Sequence, residues 1–191
     1  TAIASFITTD PARARDLGLG FDDFARSSFR RQGELTTVAG GLESIRSYLE
    51  LERARFGERV RVTLQIARET LATVIPFLSV QPLVENAVRH GLEPGADGGE
   101  IRIVSRDEGT HTEITVEDDG IGMDPDALRS TLTAADDGLH VGLRNVDTRL
   151  RQLYGATGGL VVETNTGAGT LVRMRVPKSQ PLNDPDDEVR P

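Results

Sequence analysis

The sequence predicts an α/β fold in which helices cover one face of a β-sheet and a helical segment precedes the sheet. Two observations lead to this prediction. Apolar residues recur at helical spacing in residues 38–56, and several later segments alternate apolar and polar residues as half-buried strands do. Helix-like segments lie between the strand-like ones, which is typical of a sheet with helices packed on it.

Length and composition fit one globular domain with an added helical segment. The chain has 191 residues, of which 37% are hydrophobic and 27% charged, so Val, Leu, Ile and Ala supply the core. The 22 Lys and Arg against 30 Asp and Glu give a net charge of −8, which disfavours nucleic acids and anionic membranes as partners. Cysteine is absent, so disulfides and cysteine-ligated metal sites are excluded.

No segment indicates a membrane span or an export signal. The chain has no run of about 18 apolar residues, and its first residues lack the basic flank and apolar run of a signal peptide. We therefore expect a soluble, cytoplasmic chain. Because it begins with Thr1 instead of Met, we expect a fragment of a longer protein, with any sensor domain or membrane segment upstream.

Residues 1–57 are predicted to be helical, with Asp10 and Pro11 as an N-cap and first-turn pair. The second part of this region, Val38–Phe56, is amphipathic and carries apolar residues at helical spacing: Leu42, Ile45, Leu49 and Phe56. Three glycines are expected to interrupt the region: Gly33, Gly40 and Gly41. From Arg59 the period changes to two, which predicts a strand over 60–66 and a domain boundary between residues 57 and 58.

The domain predicted over 58–177 contains further elements. Residues 79–90 are predicted to form a helix that Gly91 ends, and 142–154 another. The predicted strands are 100–106 and 111–117, which follow a Gly-rich turn over 91–99, and 160–164 and 170–176, which form a hairpin around 165–169. The acidic, Pro-containing tail 178–191 is expected to be disordered.

The helix over 79–90 has one polar and one apolar side. At 100° per residue, the polar side carries Glu85, Asn86, Arg89 and His90. The apolar side, suited to packing on a sheet, carries Leu83, Val84, Ala87 and Val88. An acid, an amide and two potential cations together suggest a binding site, although a solvated helix face also fits this segment.

Three glycine-containing segments add to the candidate site. Asp118 ends a strand and is followed by Gly120 and Gly122, so a fixed carboxylate can accept a hydrogen bond from an amine while the backbone approaches a flat ligand. Residues 138–145 open a helix, whose N–H groups and Arg144 can attract an anion. Residues 167–170 open the last strand. Taken singly, each segment also fits an ordinary turn, helix start or hairpin.

In this order the four segments resemble the GHKL ATP-binding family, and most closely its LytS-type sensor histidine kinases. The asparagine box matches residues 82–91, the first glycine box Asp118, Gly120 and Gly122, the second 138–145 and the third 167–170. The stretch 24–56 is similar to the helical dimerisation and linker region of that subfamily. The resemblance therefore covers nearly everything except the tail.

The resemblance implies a two-layer α/β sandwich of the GHKL type, with Mg²⁺ and ATP held between helices and a mixed sheet. Asp118 would bind the adenine amine with support from Thr170, and Asn86 would ligate Mg²⁺. Arg89, His90 and Arg144 would face the phosphates. The remaining residues implied at the ATP site are Gly120, Gly122, Met123, Gly138, His140, Gly142 and Leu143. The segment 123–141 would form an acidic lid, so the metal and backbone N–H groups must hold the polyphosphate.

The chain departs from the family pattern at two positions and leaves a third with two possible roles. His140 stands where another glycine is usual, so it either stiffens the lid or touches a phosphate. Pro82 stands where hydrolytic relatives carry a water-activating glutamate, which argues against a dedicated ATPase. Glu85 and Asn86 are the candidate catalytic residues, where Glu85 either polarises a water or an incoming histidine or tethers Arg89.

The implied function is the catalytic, ATP-binding portion of a two-component sensor histidine kinase. It would transfer the γ-phosphoryl group to a histidine upstream of the fragment and then to a response regulator protein. Residues 1–57 would contribute to a homodimer in the full-length kinase or pack on their own domain, and membrane contact would come only through upstream segments. The family's P-H-F-L-F-N phosphoacceptor motif is absent, so the fragment is expected not to label itself. An anti-sigma-type serine kinase and a non-catalytic, nucleotide-gated interaction module are the alternatives.

Overall fold

The computed structural model describes residues 10–12, 15, 18, 34–56, 59–94, 98–126 and 141–178. Its helices and strands are, in chain order, β1 (Leu35–Thr37), α1 (Val38–Phe56), β2 (Val60–Ile66), β3 (Val74–Pro76), α2 (Gln81–Asn86), which continues into a π-helical turn (Ala87–Leu92), β4 (Gly99–Asp107), β5 (His111–Asp118), α3 (Val141–Tyr154), β6 (Gly159–Thr164) and β7 (Thr170–Pro177). Short 3₁₀ turns follow β2 and α3, at Arg68–Thr70 and Gly155–Thr157. Most of the predicted lid and tail lie outside the described residues.

The larger sheet has five strands in the order β2-β4-β5-β7-β6. β2 and β4 are parallel, and the other neighbouring pairs are antiparallel, so the sheet is mixed. All five strands and the hairpin around 165–169 were predicted from sequence, and the predicted bounds are confirmed to within one residue. The short β1 and β3 were not predicted, and the prediction of helix over 1–57 was wrong for residues 35–37, which form β1. The two strands pair antiparallel as a separate two-stranded ribbon.

One face of the sheet is buried and the other is polar. Alternate residues of β4 and β5 enter the core, as the period of two requires. The fully buried side chains from helices and sheet include Ile45, Leu83, Ile101, Ile103, Ile114, Leu150 and Met174. The opposite face carries ion pairs, among them Arg102 with Glu117 at 3.1 Å and Arg173 with Glu113 at 3.4 Å. The predicted two-layer arrangement is therefore confirmed.

Helix α1 runs through Gly40 and Gly41, so the prediction that these glycines interrupt it was wrong. They lie in its first turn, where the helix has no N–H bonds of its own to lose. Thr37 caps this turn because its Oγ1 accepts a hydrogen bond from the Gly40 N–H at 3.2 Å. Gly41 also lets the helix approach β3, since a Cβ there would lie 3.2 Å from the Cδ1 of Ile75.

The core is continuous across the predicted boundary between residues 57 and 58. Ile45 and Leu49 of α1 are buried in the same cluster as the sheet residues. β1 also bonds to β3, from the other side of that boundary. The assignment of 1–57 to dimerisation remains a prediction, but the part of it from Glu34 onward packs on the sheet domain.

Candidate nucleotide-binding site

Asp118 lies at the end of β5 with its side chain on the covered side of the sheet. It is only 3% exposed. Its carboxylate accepts hydrogen bonds from the backbone N–H of Gly120, at 3.0 Å, and from that of Thr170, its partner residue across β5 and β7. Burial raises the pKa of this carboxyl to about 6, despite these hydrogen bonds. A buried acceptor at a strand end is the group the sequence predicted for binding an amine.

Gly91 packs directly against the Asp118 carboxylate. A Cβ on Gly91 would lie 2.5 Å from the Cγ of Asp118, so any side chain at this position would force the carboxylate or the helix to shift. The carbonyl of Gly91 accepts a hydrogen bond from the Ile121 N–H at 3.1 Å, and Gly120 has no room for a Cβ because the Gly91 Cα would be 2.6 Å away. The prediction that Gly91 ends the helix was wrong, because the helical turn continues to Leu92. A glycine at position 91 allows this helical turn to approach the Asp118 carboxylate closely.

The helix that carries the asparagine box widens into a π-turn after Asn86. The Glu93 N–H reaches the Val88 carbonyl at 2.8 Å, an i to i+5 bond. The assignment of Arg89 and His90 to the polar side assumed 100° per residue throughout, a rotation that the π-turn does not keep. Burial still follows the predicted sides for most residues: Leu83, Val84, Ala87 and Val88 are buried, while Arg89 is exposed and His90 half-buried. Asn86 is the exception on the polar side, with 9% of its surface exposed.

The two glycine turns beyond Asp118 also pack on each other. Gly122 and Gly169 have φ values of +60° and +75°, which side chains rarely adopt. A Cβ on Gly122 would lie 2.9 Å from the Gly169 carbonyl oxygen, and one on Gly169 would lie 3.1 Å from the Cα of Asp119. The Gly167 N–H donates to the Ile121 carbonyl at 2.6 Å. The first and third glycine segments are thus packed against each other and hydrogen-bonded beside Asp118.

Thr164 joins these segments and was missed by the sequence analysis. Its Oγ1 accepts from the Met123 N–H at 3.0 Å and donates to the Gly169 carbonyl at 2.9 Å. It is also 3.1 Å from the Thr170 Oγ1. Since Thr164 has one proton, Thr170 must be the donor in that contact, which leaves the Thr170 oxygen as an acceptor for a ligand or water. The predicted hairpin places Thr164 opposite Thr170, and this pairing could have identified Thr164 from the sequence.

The second glycine segment is only partly described. Gly138 and His140 lie outside the described residues, so their predicted roles stay predictions. Gly142 is the second residue of α3 and lies beside Pro82, since a Cβ there would be 3.2 Å from the Pro82 Cβ. Arg144 is half-buried, whereas Leu143 is 2% exposed and belongs to the core, so only its backbone is left for a ligand. The start of α3 and the asparagine-box helix are therefore in contact.

Glu85 is held by the residue one turn before it. The Gln81 Nε2 donates to the Glu85 Oε1 at 2.5 Å. Gln81 is 6% exposed. The tether from Glu85 to Arg89 considered from sequence is therefore replaced by a bond toward the start of the helix.

The residues near the asparagine box are compatible with a magnesium ion that is held mainly by phosphate oxygens and water. Within the described ranges, no group of three or more His, Cys, Asp or Glu side chains could hold a metal. Asn86 offers a neutral amide oxygen, which is an acceptable ligand for this hard ion. Because Mg²⁺ keeps several waters and binds phosphates, one protein ligand is compatible with the donor set present.

Sequence profiles place this architecture in a known family. The profile described as "Histidine kinase-, DNA gyrase B-, and HSP90-like ATPase" matches residues 73–180, which is more than half of the chain. The chain belongs to that ATPase family. A second profile, "Histidine kinase", matches residues 1–60 of this ATPase-family chain. The resemblance stated from the four sequence segments is thereby confirmed.

Several curated relatives of this ATPase-family chain are sensor histidine kinases. BtsS of Escherichia coli K12 is 31% identical over 175 residues, which cover 92% of this chain and 30% of the relative. YesM of Bacillus subtilis 168 is 35% identical over 159 residues, covering 83% and 26%. LytS of Staphylococcus aureus Mu50, a sensor histidine kinase/phosphatase, is 29% identical over 173 residues, covering 88% and 30%. The chain thus spans less than a third of the length of these kinases.

Solved structures show the same fold. The catalytic domain of the histidine kinase ThkA superposes with a TM-score of 0.60 at 15% identity, over 76% of this chain and 97% of that one. A histidine kinase domain from Erythrobacter litoralis has a TM-score of 0.52 at 22% identity, over 71% of this chain and 59% of that one.

None of the described helices in this ATPase-family chain is long and apolar enough to cross a bilayer.

Proposed function

We propose that this chain is the ATP-binding catalytic portion of a sensor histidine kinase. It binds Mg²⁺-ATP and transfers the γ-phosphoryl group to a histidine outside residues 1–191, from which the group passes to a response regulator. The observation that carries the proposal is the buried Asp118 carboxylate pressed against Gly91 and flanked by glycine turns. Main-chain atoms of the glycine segments pack closely around this one acceptor, an arrangement that suits recognition of a flat base with an exocyclic amine.

The described residues divide the proposed chemistry between two ends of the site. Asp118 and Thr170 would accept from the adenine amine, directly or through water. Asn86 would hold a magnesium ion, whose charge would offset that of the phosphates. The imidazole nitrogen of the acceptor histidine attacks the γ-phosphorus, the bond to the β–γ bridging oxygen breaks and ADP leaves. Glu85, beside Asn86, takes the proton that the imidazole loses.

Several findings support this assignment beyond ATP binding. The curated relatives described above are named sensor histidine kinases. The histidine kinase ThkA, which has the same fold, was solved in complex with the response regulator protein TrrA. A cytoplasmic location and a homodimer in the longer protein remain parts of the proposal.

Calorimetric titration with ATP, with and without Mg²⁺, tests the nucleotide site. We expect micromolar-range binding, about −8 kcal/mol, and a loss of at least about tenfold in Asp118→Asn, because a charged acceptor is removed. Absence of binding at millimolar ATP would contradict the proposal. The acid stability of the phosphorylated product then distinguishes a histidine kinase from a serine kinase, since phosphohistidine is labile to acid and phosphoserine is not. This product is made with the protein that also carries the acceptor histidine.

A further inference from the structure

The contact between Gln81 and Glu85 joins a buried amide to the proposed base. Gln81 is the first residue of α2, and its Nε2 donates to the Glu85 Oε1 at 2.5 Å. A carboxylate only accepts hydrogen bonds, so the NH₂ end of the amide must face Glu85 and the oxygen must face away. That amide oxygen is buried and has no hydrogen-bond partner among the described residues.

This arrangement is a poor one for stability alone. A buried acceptor without a donor destabilises the folded state, whereas Met has a similar length and would fill the same space without that cost. The backbone is held independently of the amide, because Ser79 Oγ donates to the Pro76 carbonyl at 2.7 Å and the Leu83 N–H to the Val80 carbonyl at 3.1 Å. The amide therefore contributes chiefly through its bond to Glu85.

We propose that Gln81 is a positioning residue for phosphoryl transfer, which fixes the Glu85 carboxylate so that its other oxygen accepts the proton from the acceptor histidine. This inference rests on the proposed function. The hydrogen bond holds Oε1 and thereby the rotation of the carboxylate about its last side-chain bond. A base fixed in this way reaches the productive geometry without an ordering cost at the moment of transfer.

The test compares Gln81→Met, which removes the donor, with Gln81→Glu, which replaces it by a second acceptor. Transfer from radiolabelled Mg²⁺-ATP is measured in the protein that carries both this chain and the acceptor histidine. For Gln81→Met we expect kcat to fall about tenfold or more, with KM and calorimetric Kd for ATP within about twofold and an unchanged or higher Tm. Gln81→Glu is expected to lose at least as much kcat, because two carboxylates then face each other.

The control is Ser79→Ala, which removes a buried bond in the preceding turn without touching Glu85. It should lower Tm and leave kcat unchanged. In a Glu85→Gln background, Gln81→Met should have no further effect on kcat, because its influence passes through the Glu85 carboxylate.

Three results would overturn the inference. One is an unchanged kcat in Gln81→Met beside an active wild type, which leaves the proposed function intact. Another is an equal loss of kcat when Gln81→Met is made in the wild-type and in the Glu85→Gln backgrounds, which would assign Gln81 a role independent of the base. The last is a wild type that binds ATP and transfers no phosphate, which removes the proposed function and this inference together.

Discussion

Gly91 packs so closely against the Asp118 carboxylate that no Cβ fits between them. The contact joins the end of the asparagine-box helix to the end of β5, two segments that are 27 positions apart in the sequence. Any side chain at position 91 must displace Asp118, Gly120 or the helix itself.

Gly91→Ala is therefore expected to weaken ATP binding by at least about tenfold and to lower the free energy of unfolding by about 1–3 kcal/mol, the usual cost of overpacking. Calorimetry and chemical denaturation measure the two effects. Gly18→Ala is the matched control, because a Cβ at Gly18 would meet no described residue within 4 Å. A Gly91→Ala variant that binds ATP as well as wild type would show that the contact is not needed.

The buried Asp118 predicts how stability depends on pH. Its pKa is 3.8 in the unfolded chain and about 6 in the folded one, so between pH 4 and 6 the folded state keeps a proton that the unfolded state has released. Stability from this group is thus fully present below pH 4 and is lost as pH rises through 6. The shift corresponds to roughly 3 kcal/mol.

Asp118→Asn removes this titration. We expect its free energy of unfolding, relative to wild type, to rise between pH 4 and pH 7 in urea denaturation series, although the variant loses ATP affinity. A difference that stays constant over that range would contradict the assigned burial cost.

Thr164→Val should loosen the junction of the two glycine turns. The variant keeps the shape of the side chain but removes the bonds to Met123 and Gly169. We expect a loss of about 1–3 kcal/mol in stability and ATP affinity lowered several-fold, measured by denaturation and calorimetry. Thr166→Val, at an exposed position of the same hairpin, should change neither; equal effects of both variants would argue against a specific role for Thr164.

Arg149 joins α3 to the β1–β3 ribbon. Its guanidinium donates to the Phe77 carbonyl at 2.9 Å and to the Glu34 carbonyl at 3.0 Å. Arg149→Met should cost about 1.5–3 kcal/mol in a denaturation experiment, because two bonds from a charged donor are lost. The control is Arg151→Met, whose exposed ion pair with Asp147 should be worth less than about 1 kcal/mol. Similar losses in both would contradict the special role of Arg149.

The main strands and helices were predictable because each has a strong local pattern. Strand 60–66 matches the structure residue for residue, since its alternation begins and ends abruptly. β1 and β3 have three residues each, too few for a period to be detected, and they form through pairing with each other. The parallel pairing of β2 with β4 is likewise a tertiary property that no local pattern encodes.

The site was predictable to the level of residue types and their order. Asp118, Asn86 and Thr170 came from the motifs, and the structure places Asp118 and Thr170 side by side. Gly91 was assigned to helix termination because sequence alone gives no sign of a carboxylate packed against it. Gln81 and Thr164 were missed because their roles depend on hydrogen bonds to other side chains or to distant backbone.

The β1–β3 ribbon has a mechanical consequence. β3 leads through the turn 77–80, where Leu78 has a left-handed φ of +60°, directly into α2 and the asparagine box. A displacement of the backbone at Glu34 therefore reaches the start of α2 through the β1–β3 hydrogen bonds, and it moves the buried Ile75 of β3 with it. The ribbon thus connects the chain at Glu34 to the helix that carries the proposed base.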